Sequence, residues 1–374
     1  MKRWKKICAI VTCCMLVTGC SGTEVSTDTE GVAEQTASQE NDANEQDSTD
    51  DTQNQDDTQI PQNDDFGGRR GGENGKGGGR NGGGRNGGGR GDNGGGMGSQ
   101  NDEEIQSILD ENSGKFRQFE YTDPESGTTL EYSLYIPEDY DANNKYPLLM
   151  YIPDASGSGK SAKEIVEQYY GATVWVTDED QEKHPSFVMV PAFTETVTDD
   201  NWNISDQVET AVKLIGELQT EYNIDSDRIY TTGQSMGCMT SLYLNSAYPD
   251  MFAASMYVSG QWDISVLKKM ENQKFFYITA GGDEKASGGQ SEVMAMFDAD
   301  GVSYSYGEWN AQNSSDEQTS AVNALIAEGN SANMIRFETG TVFKDGESGM
   351  EHMASFNYAY KLNAVRDWLF EQSK

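Results

Sequence analysis

From Phe116 onward, apolar and polar positions follow regular periods. Residues 116–121 and 129–136 alternate apolar with polar, and Asp123-Pro124-Glu125-Ser126-Gly127 lies between them. A period of two flanking a cluster of turn formers predicts an antiparallel hairpin. Residues 147–152 (Pro-Leu-Leu-Met-Tyr-Ile) and 187–190 (Phe-Val-Met-Val) are unbroken apolar runs, as expected of strands covered on both faces. Further short strands are expected at 228–232, 253–258 and 275–280, with a strand-like run at 302–306. Helical spacing appears at 161–170, at 205–222 through Val208, Val212, Ile215 and Leu218, and at 236–247, 264–270 and 290–299. A last helix is expected from about Ala354 to Gln372. Strands that alternate with helices after an antiparallel start predict an α/β fold. Its sheet is mostly parallel, with an antiparallel N-terminal hairpin and helices on both faces. In such sheets chemistry collects at the carboxyl ends of the strands.

The first hundred residues lack that periodicity. Lys2, Arg3, Lys5 and Lys6 precede an apolar stretch from Ile7 to Val17, which has the shape of a secretory signal. It ends in Leu16-Val17-Thr18-Gly19-Cys20, which resembles the bacterial lipobox. Residues 1–19 are therefore expected to be a lipoprotein signal peptide, with Cys20 taking the lipid and the protein held on the outer face of a bacterial cell membrane. Residues 21–66 carry 14 acids and no Lys or Arg. Together with Cys20 they are expected to form an acidic disordered linker, 20–66, because such a composition buries too little apolar surface to offset chain entropy. Residues 67–98 hold 19 glycines with Arg80, Arg85 and Arg90 in a five-residue repeat, which reads as a second, flexible linker. The globular domain is then 99–374.

Charge narrows the partners. The 374 residues contain 62 acids and 27 bases, a net −35, and residues 99–374 alone hold 46 acids against 17 bases. That sign repels phosphate backbones, so nucleic acid is not an expected partner. No apolar run after the N-terminus reaches ~18 residues, which argues against a polytopic membrane protein. Of the five cysteines, Cys8, Cys13 and Cys14 would leave with the signal and Cys20 would be acylated. Cys238 remains, with no partner for a disulfide, and reads as a small buried residue.

The candidate chemistry starts where strand 228–232 runs into Gly233-Gln234-Ser235-Met236-Gly237 and a helix follows. This is G-x-S-x-G in its strand–turn–helix setting. The glycines relieve crowding at a sharp turn that exposes the Ser235 hydroxyl. The helix N-terminus faces developing oxyanion charge, with the Met236 N–H as one donor. Ser235 needs a base. The chain has two histidines, His184 and His352. His184 precedes strand 187–190, at the amino end of the sheet, so His352, in a loop before the last helix, is the candidate. An acid should lie between Ser235 and His352 in the chain. Asp283 follows strand 275–280 and the pair Gly281-Gly282, with Glu284 and Glu308 as rivals. Gly159-Lys160-Ser161 suggests a phosphate-binding loop, but Asp154 stands where that motif needs its first glycine. The loop after strand 147–152 reads instead as the second oxyanion donor. Pro153 has no N–H, so Ala155 is the choice. Trp202, Gln261 and Trp262 lie past carboxyl ends, where they would line a substrate pocket. No metal or organic cofactor is called for.

With these residues in place, 116–374 resembles α/β-hydrolases of the feruloyl-esterase, polyhydroxybutyrate-depolymerase and "predicted peptidase" type. The resemblance is carried by Leu130-Glu131-Tyr132-Ser133-Leu134-Tyr135-Ile136-Pro137, Tyr146-Pro147-Leu148-Leu149 and Asp227-Arg228-Ile229-Tyr230. Gly233–Gly237, Tyr248-Pro249-Asp250-Met251-Phe252, His352 and Val365-Arg366-Asp367-Trp368-Leu369 complete it. It implies a serine hydrolase with an acyl-enzyme, acting on esters of plant-wall sugars, polyesters or peptides. A carboxylesterase on carbohydrate-linked acyl groups is the favoured expectation. A peptidase of the same fold, and a catalytically silent surface protein that binds glycan or wall polymer, are the alternatives. Two departures stand out. The family's His-Gly at the oxyanion loop is Pro153-Asp154 here, and the interval from Asp283 to His352 is long, so that 307–347 reads as an insertion or lid.

Overall fold

A computed structural model describes residues 102–374; the expected signal peptide, Cys20 and both linkers lie outside the described residues. The elements run α1 (Glu103–Asn112), β1 (Arg117–Thr122), β2 (Thr129–Tyr135), β3 (Tyr146–Ile152), α2 (Ala162–Gln168), α3 (Tyr170–Thr173), α4 (Asp178–Lys183) and β4 (Phe187–Ala192). They continue with α5 (Asp206–Glu221), β5 (Ile224–Gln234), α6 (Met236–Ala247), β6 (Ala254–Val258), β7 (Phe275–Ala280), α7 (Glu284–Asp300) and β8 (Ser305–Trp309). The last are α8 (Ser315–Ala327), β9 (Ala332–Phe337), α9 (Glu351–Tyr360) and α10 (Asn363–Phe370). Among these no helix is long and apolar enough to cross a membrane.

The nine strands form one sheet in the order β1-β2-β4-β3-β5-β6-β7-β9-β8. β1 pairs antiparallel with β2, and β2 antiparallel with β4; every other pair is parallel. The apolar run of β3 explains its central place. Leu149 and Tyr151 enter the core cluster shared with α1, α2 and α9, while Leu148, Met150 and Ile152 enter the cluster shared with α5 on the other face. A strand buried on both sides needs no polar alternation.

Of the differences from the sequence expectation, three have a clear physical reason. Helix α7 begins at Glu284 rather than 290, because the Asp283 side chain caps it by accepting the Ala286 N–H at 3.2 Å. Gly288 and Gly289 had hidden this turn. A Cβ on Gly289 would meet the Gln261 Cβ at 2.4 Å, so the weak helix former is kept for close approach. The last helix is broken after Tyr360. The buried Arg366 guanidinium donates to the Tyr360 carbonyl left free there, and pairs with the buried Asp180 at 2.9 and 3.1 Å. Finally, 307–347 is neither an inserted excursion nor a detached lid. It supplies most of β8, all of α8 and all of β9, and β9 pairs in register with β7 from Phe275↔Ala332 to Ala280↔Phe337. Five of the six β9 residues are buried.

Candidate active site

Ser235 sits between β5 and α6 with φ 52° and ψ −115°. That region is costly for a residue with a Cβ and persists only when its surroundings hold it. Here the Ser235 N–H donates to the Val258 carbonyl at 3.0 Å, and its carbonyl accepts from Met239 at 2.9 Å. The glycines on either side have steric reasons. A Cβ on Gly233 would lie 2.4 Å from the Gly237 carbonyl carbon, and one on Gly237 would lie 2.0 Å from the Ile152 carbonyl oxygen. The elbow is thus pressed against the end of β3, where the Ala155 loop begins.

The three residues expected to act together do meet. His352 Nε2 lies 2.8 Å from Ser235 Oγ, and His352 Nδ1 lies 2.6 Å from Asp283 Oδ2. A carboxylate accepts only, so Nδ1–H donates to Asp283, which leaves Nε2 to accept from the Ser235 hydroxyl. The sequence placed His352 in a loop. It lies instead in the first turn of α9, where its carbonyl accepts from Ser355 Oγ at 2.8 Å and its ring packs edge-on against Phe356. Ser355 Oγ also bonds Ser259 Oγ at 2.7 Å, beside the elbow. Neither rival acid shares this relay. Glu284 points outward in the first turn of α7, and Glu308 is exposed on β8, accepting from Tyr306. His184 stacks on Phe370 and bonds Asp367 at 3.0 Å, far from the relay in the fold's connectivity.

Two backbone donors stand near the elbow. Among the described residues, neither the Met236 N–H nor the Ala155 N–H has a protein acceptor. Ala155 opens a 3₁₀ turn, Ala155–Gly157, capped by Asp154. Asp154 is 3% exposed; it bonds within its own loop, as an aspartate in a turn is expected to, but its second link was not legible in advance. Oδ1 accepts from the Ser156 N–H at 2.8 Å and Oδ2 from Gln234 Nε2 at 2.8 Å. One side chain therefore joins the Ala155 loop to the residue before Ser235. The signal was present as Pro-Asp-x-Ser, a turn-forming pattern, but its partner Gln234 is distant in sequence.

The pocket residues divide. Trp202 is 40% exposed at φ 63°. Its turn is held by Asp199, which accepts N–H groups from Asn201 and Asn203; the hydrogen bonds of Asn203 keep the Asp199 carboxyl below its ordinary range. Trp262, expected as a second exposed wall, is buried under Trp202, with ring centroids 5.3 Å apart. Gln261 gives its amide to Asp200 Oδ1 at 2.9 Å, and Lys285 binds Asp200 Oδ2 at 2.6 Å. Trp202 alone of these offers an open ring face. Cys238 is buried, and burial pushes its thiol pKa far up, so it is no second nucleophile. A cavity of about 630 Å³ lies along Met353, Ala354, Asn357 and Tyr358. Helical spacing puts these on the side of α9 away from His352, so it is not the triad's pocket. Among the described residues no cluster of three or more His, Cys, Asp or Glu is placed to hold a metal ion.

A serine at a strand–helix elbow, with a histidine and an aspartate behind it on a mostly parallel sheet, is the arrangement of the α/β-hydrolase fold. The chain belongs to the Esterase family: the family model described as "Putative esterase" matches residues 124–347. A solved thermostable esterase is similar at 25% identity and a TM-score of 0.56, the match covering 72% of this chain and 64% of that one, less than two thirds of its length. The feruloyl esterase module from Clostridium thermocellum complexed with sinapinate is similar at 14% identity and a TM-score of 0.47, covering 68% and 88%. S-formylglutathione hydrolase from Staphylococcus aureus is similar at 10% identity and a TM-score of 0.45, covering 68% and 96%. No curated protein matches the chain in sequence.

Proposed function

We propose that this protein hydrolyses carboxylic esters through an acyl-enzyme on Ser235. The observation that carries the reading is the continuous hydrogen-bond relay Ser235–His352–Asp283, at 2.8 and 2.6 Å. Ser235 Oγ attacks the ester carbonyl carbon as its proton passes to His352 Nε2. The tetrahedral oxyanion is held by the Met236 N–H, with the Ala155 N–H as second donor. Collapse expels the alcohol, which takes the proton from His352. Water, activated by the same imidazole, then attacks the acyl carbon and frees Ser235. Asp283 orients the ring and stabilises the imidazolium. The route draws on no cofactor.

The substrate we favour is an acyl group linked to carbohydrate. The open Trp202 ring on its strained turn supports this, since such a face stacks on a sugar or an aromatic acyl group. Export and lipidation at Cys20 are part of the same proposal, supported by the basic start, the apolar stretch and the lipobox-like Leu16–Cys20.

The test is labelling of the full-length protein with a fluorophosphonate, followed by peptide mapping, beside Ser235→Ala. We expect the label on Ser235, its loss in the variant, and hydrolysis of p-nitrophenyl acetate lost with it. Folded protein that takes no label and turns over no ester would overturn the reading and favour a binding role.

A further inference from the structure

We propose that Glu351 is a positioning residue that holds the Asp283–His352 pair in register. The inference rests on the hydrolase reading of the same site and deepens it. The acid and the base reach each other from segments 69 residues apart. Asp283 rides on the turn after β7, where Asp283 N–H donates to Ala280 and Gly281 N–H donates to the Phe337 carbonyl. His352 rides on the first turn of α9, which the chain reaches from β9 through 338–350, a stretch without helix or strand. The His–Asp hydrogen bond by itself is a thin link between two such supports.

Glu351 supplies the missing one. Its Oε2 accepts from the Gly282 N–H at 2.9 Å, and its Oε1 accepts from the Gly340 N–H at 2.8 Å. Gly282 is the residue before Asp283, Gly340 lies near the start of the stretch leading to α9, and Glu351 is the residue before His352. One carboxylate thus ties together three segments, each next to a member of the relay or to the path that delivers it. The fit is close. A Cβ on Gly282 would lie 2.2 to 2.6 Å from the Glu351 carboxylate atoms, so the glycine is required for the contact and not for its φ. Both partners are backbone N–H groups, which cannot reverse their polarity. A carboxylate satisfies both, and its charge strengthens both bonds. A glutamine satisfies one and turns an N–H₂ against the other.

A plainer role is available, since an acid in the first turn of α9 also favours the helix dipole. That role would affect stability and leave turnover alone, so the two separate by experiment. In the full-length protein acting on p-nitrophenyl acetate, Glu351→Gln and Gly282→Ala are each expected to lower kcat about tenfold with KM within about twofold. Gly282→Ala displaces the same carboxylate from the other side, so the double variant is expected to lose no more than either single one. A Glu351→Gln kcat within twofold of wild type, or losses that multiply in the double variant, would overturn the proposal.

A second readout does not need turnover. The Nδ1 proton shared by His352 and Asp283 is identified in the proton NMR spectrum by its absence from His352→Ala. We expect that resonance to move or broaden in both Glu351→Gln and Gly282→Ala; an unchanged resonance counts against the clamp. A wild type that hydrolyses no ester while its resonance responds would sink the hydrolase reading and leave the clamp standing. An active wild type with an indifferent Glu351 would do the reverse.

Discussion

Asp283 uses both oxygens of one carboxylate. Oδ2 faces His352 Nδ1, while Oδ1 accepts the Ala286 N–H that opens α7. A substitution there should therefore register twice. Asp283→Asn keeps a capping oxygen but lets the imidazole take the wrong tautomer. Its kcat is expected to fall by about 10⁴, with little change in unfolding midpoint. Asp283→Ala should lose the same activity and, in addition, about 1 kcal/mol of stability from the uncapped helix. Steady-state kinetics beside urea unfolding separates the two effects. Residue-scale chemistry was also the most legible part of the sequence. The elbow announces itself within five residues, because its strand–turn–helix pattern is local, even though the Ile152 carbonyl that requires Gly237 is distant in sequence. His352 followed by elimination in a chain with two histidines. The bond of Asp154 to Gln234 and both bonds of Glu351 were not legible, since each joins groups that only the fold brings near.

At the scale of elements, the joint between α9 and α10 is the feature the periodic pattern could not show. Apolar spacing continues across it, and what breaks the helix is Arg366 drawn into the core to meet Asp180 and the Tyr360 carbonyl. Both charges are under a tenth exposed. Removing one partner of such a pair strands the other in a poor solvent for charge. Arg366→Ala is expected to cost about 3–5 kcal/mol, read as a shift of the urea midpoint at constant slope. The early start of α7 was missed for the opposite reason. Gly288 and Gly289 lower local helix propensity, but the Asp283 cap and the contact with Gln261 override it.

On the scale of the whole molecule, the order of strands decides how 307–347 should be regarded. Seen as sequence, it is a long interval between acid and base. In the sheet, β9 lies beside β7 and carries the outermost strand, β8. Parallel pairing with a distant strand leaves little trace in a short run such as Ala332–Phe337, where Asn333 and Arg336 interrupt the apolar residues. Deleting 315–337 is expected to remove cooperative unfolding altogether, as followed by circular dichroism during heating. A lid would come away and leave a folded, more open enzyme.

The same topology sets a schedule. The elbow serine belongs to the middle of the chain and the acid follows β7, but β9 has to settle between two strands made before it, and the base comes only after that. A chain still being made, or cut short ahead of residue 352, has a serine at its elbow and nothing to take its proton. Competence therefore arrives in a single late step, and a half-built molecule is chemically inert toward the esters around it.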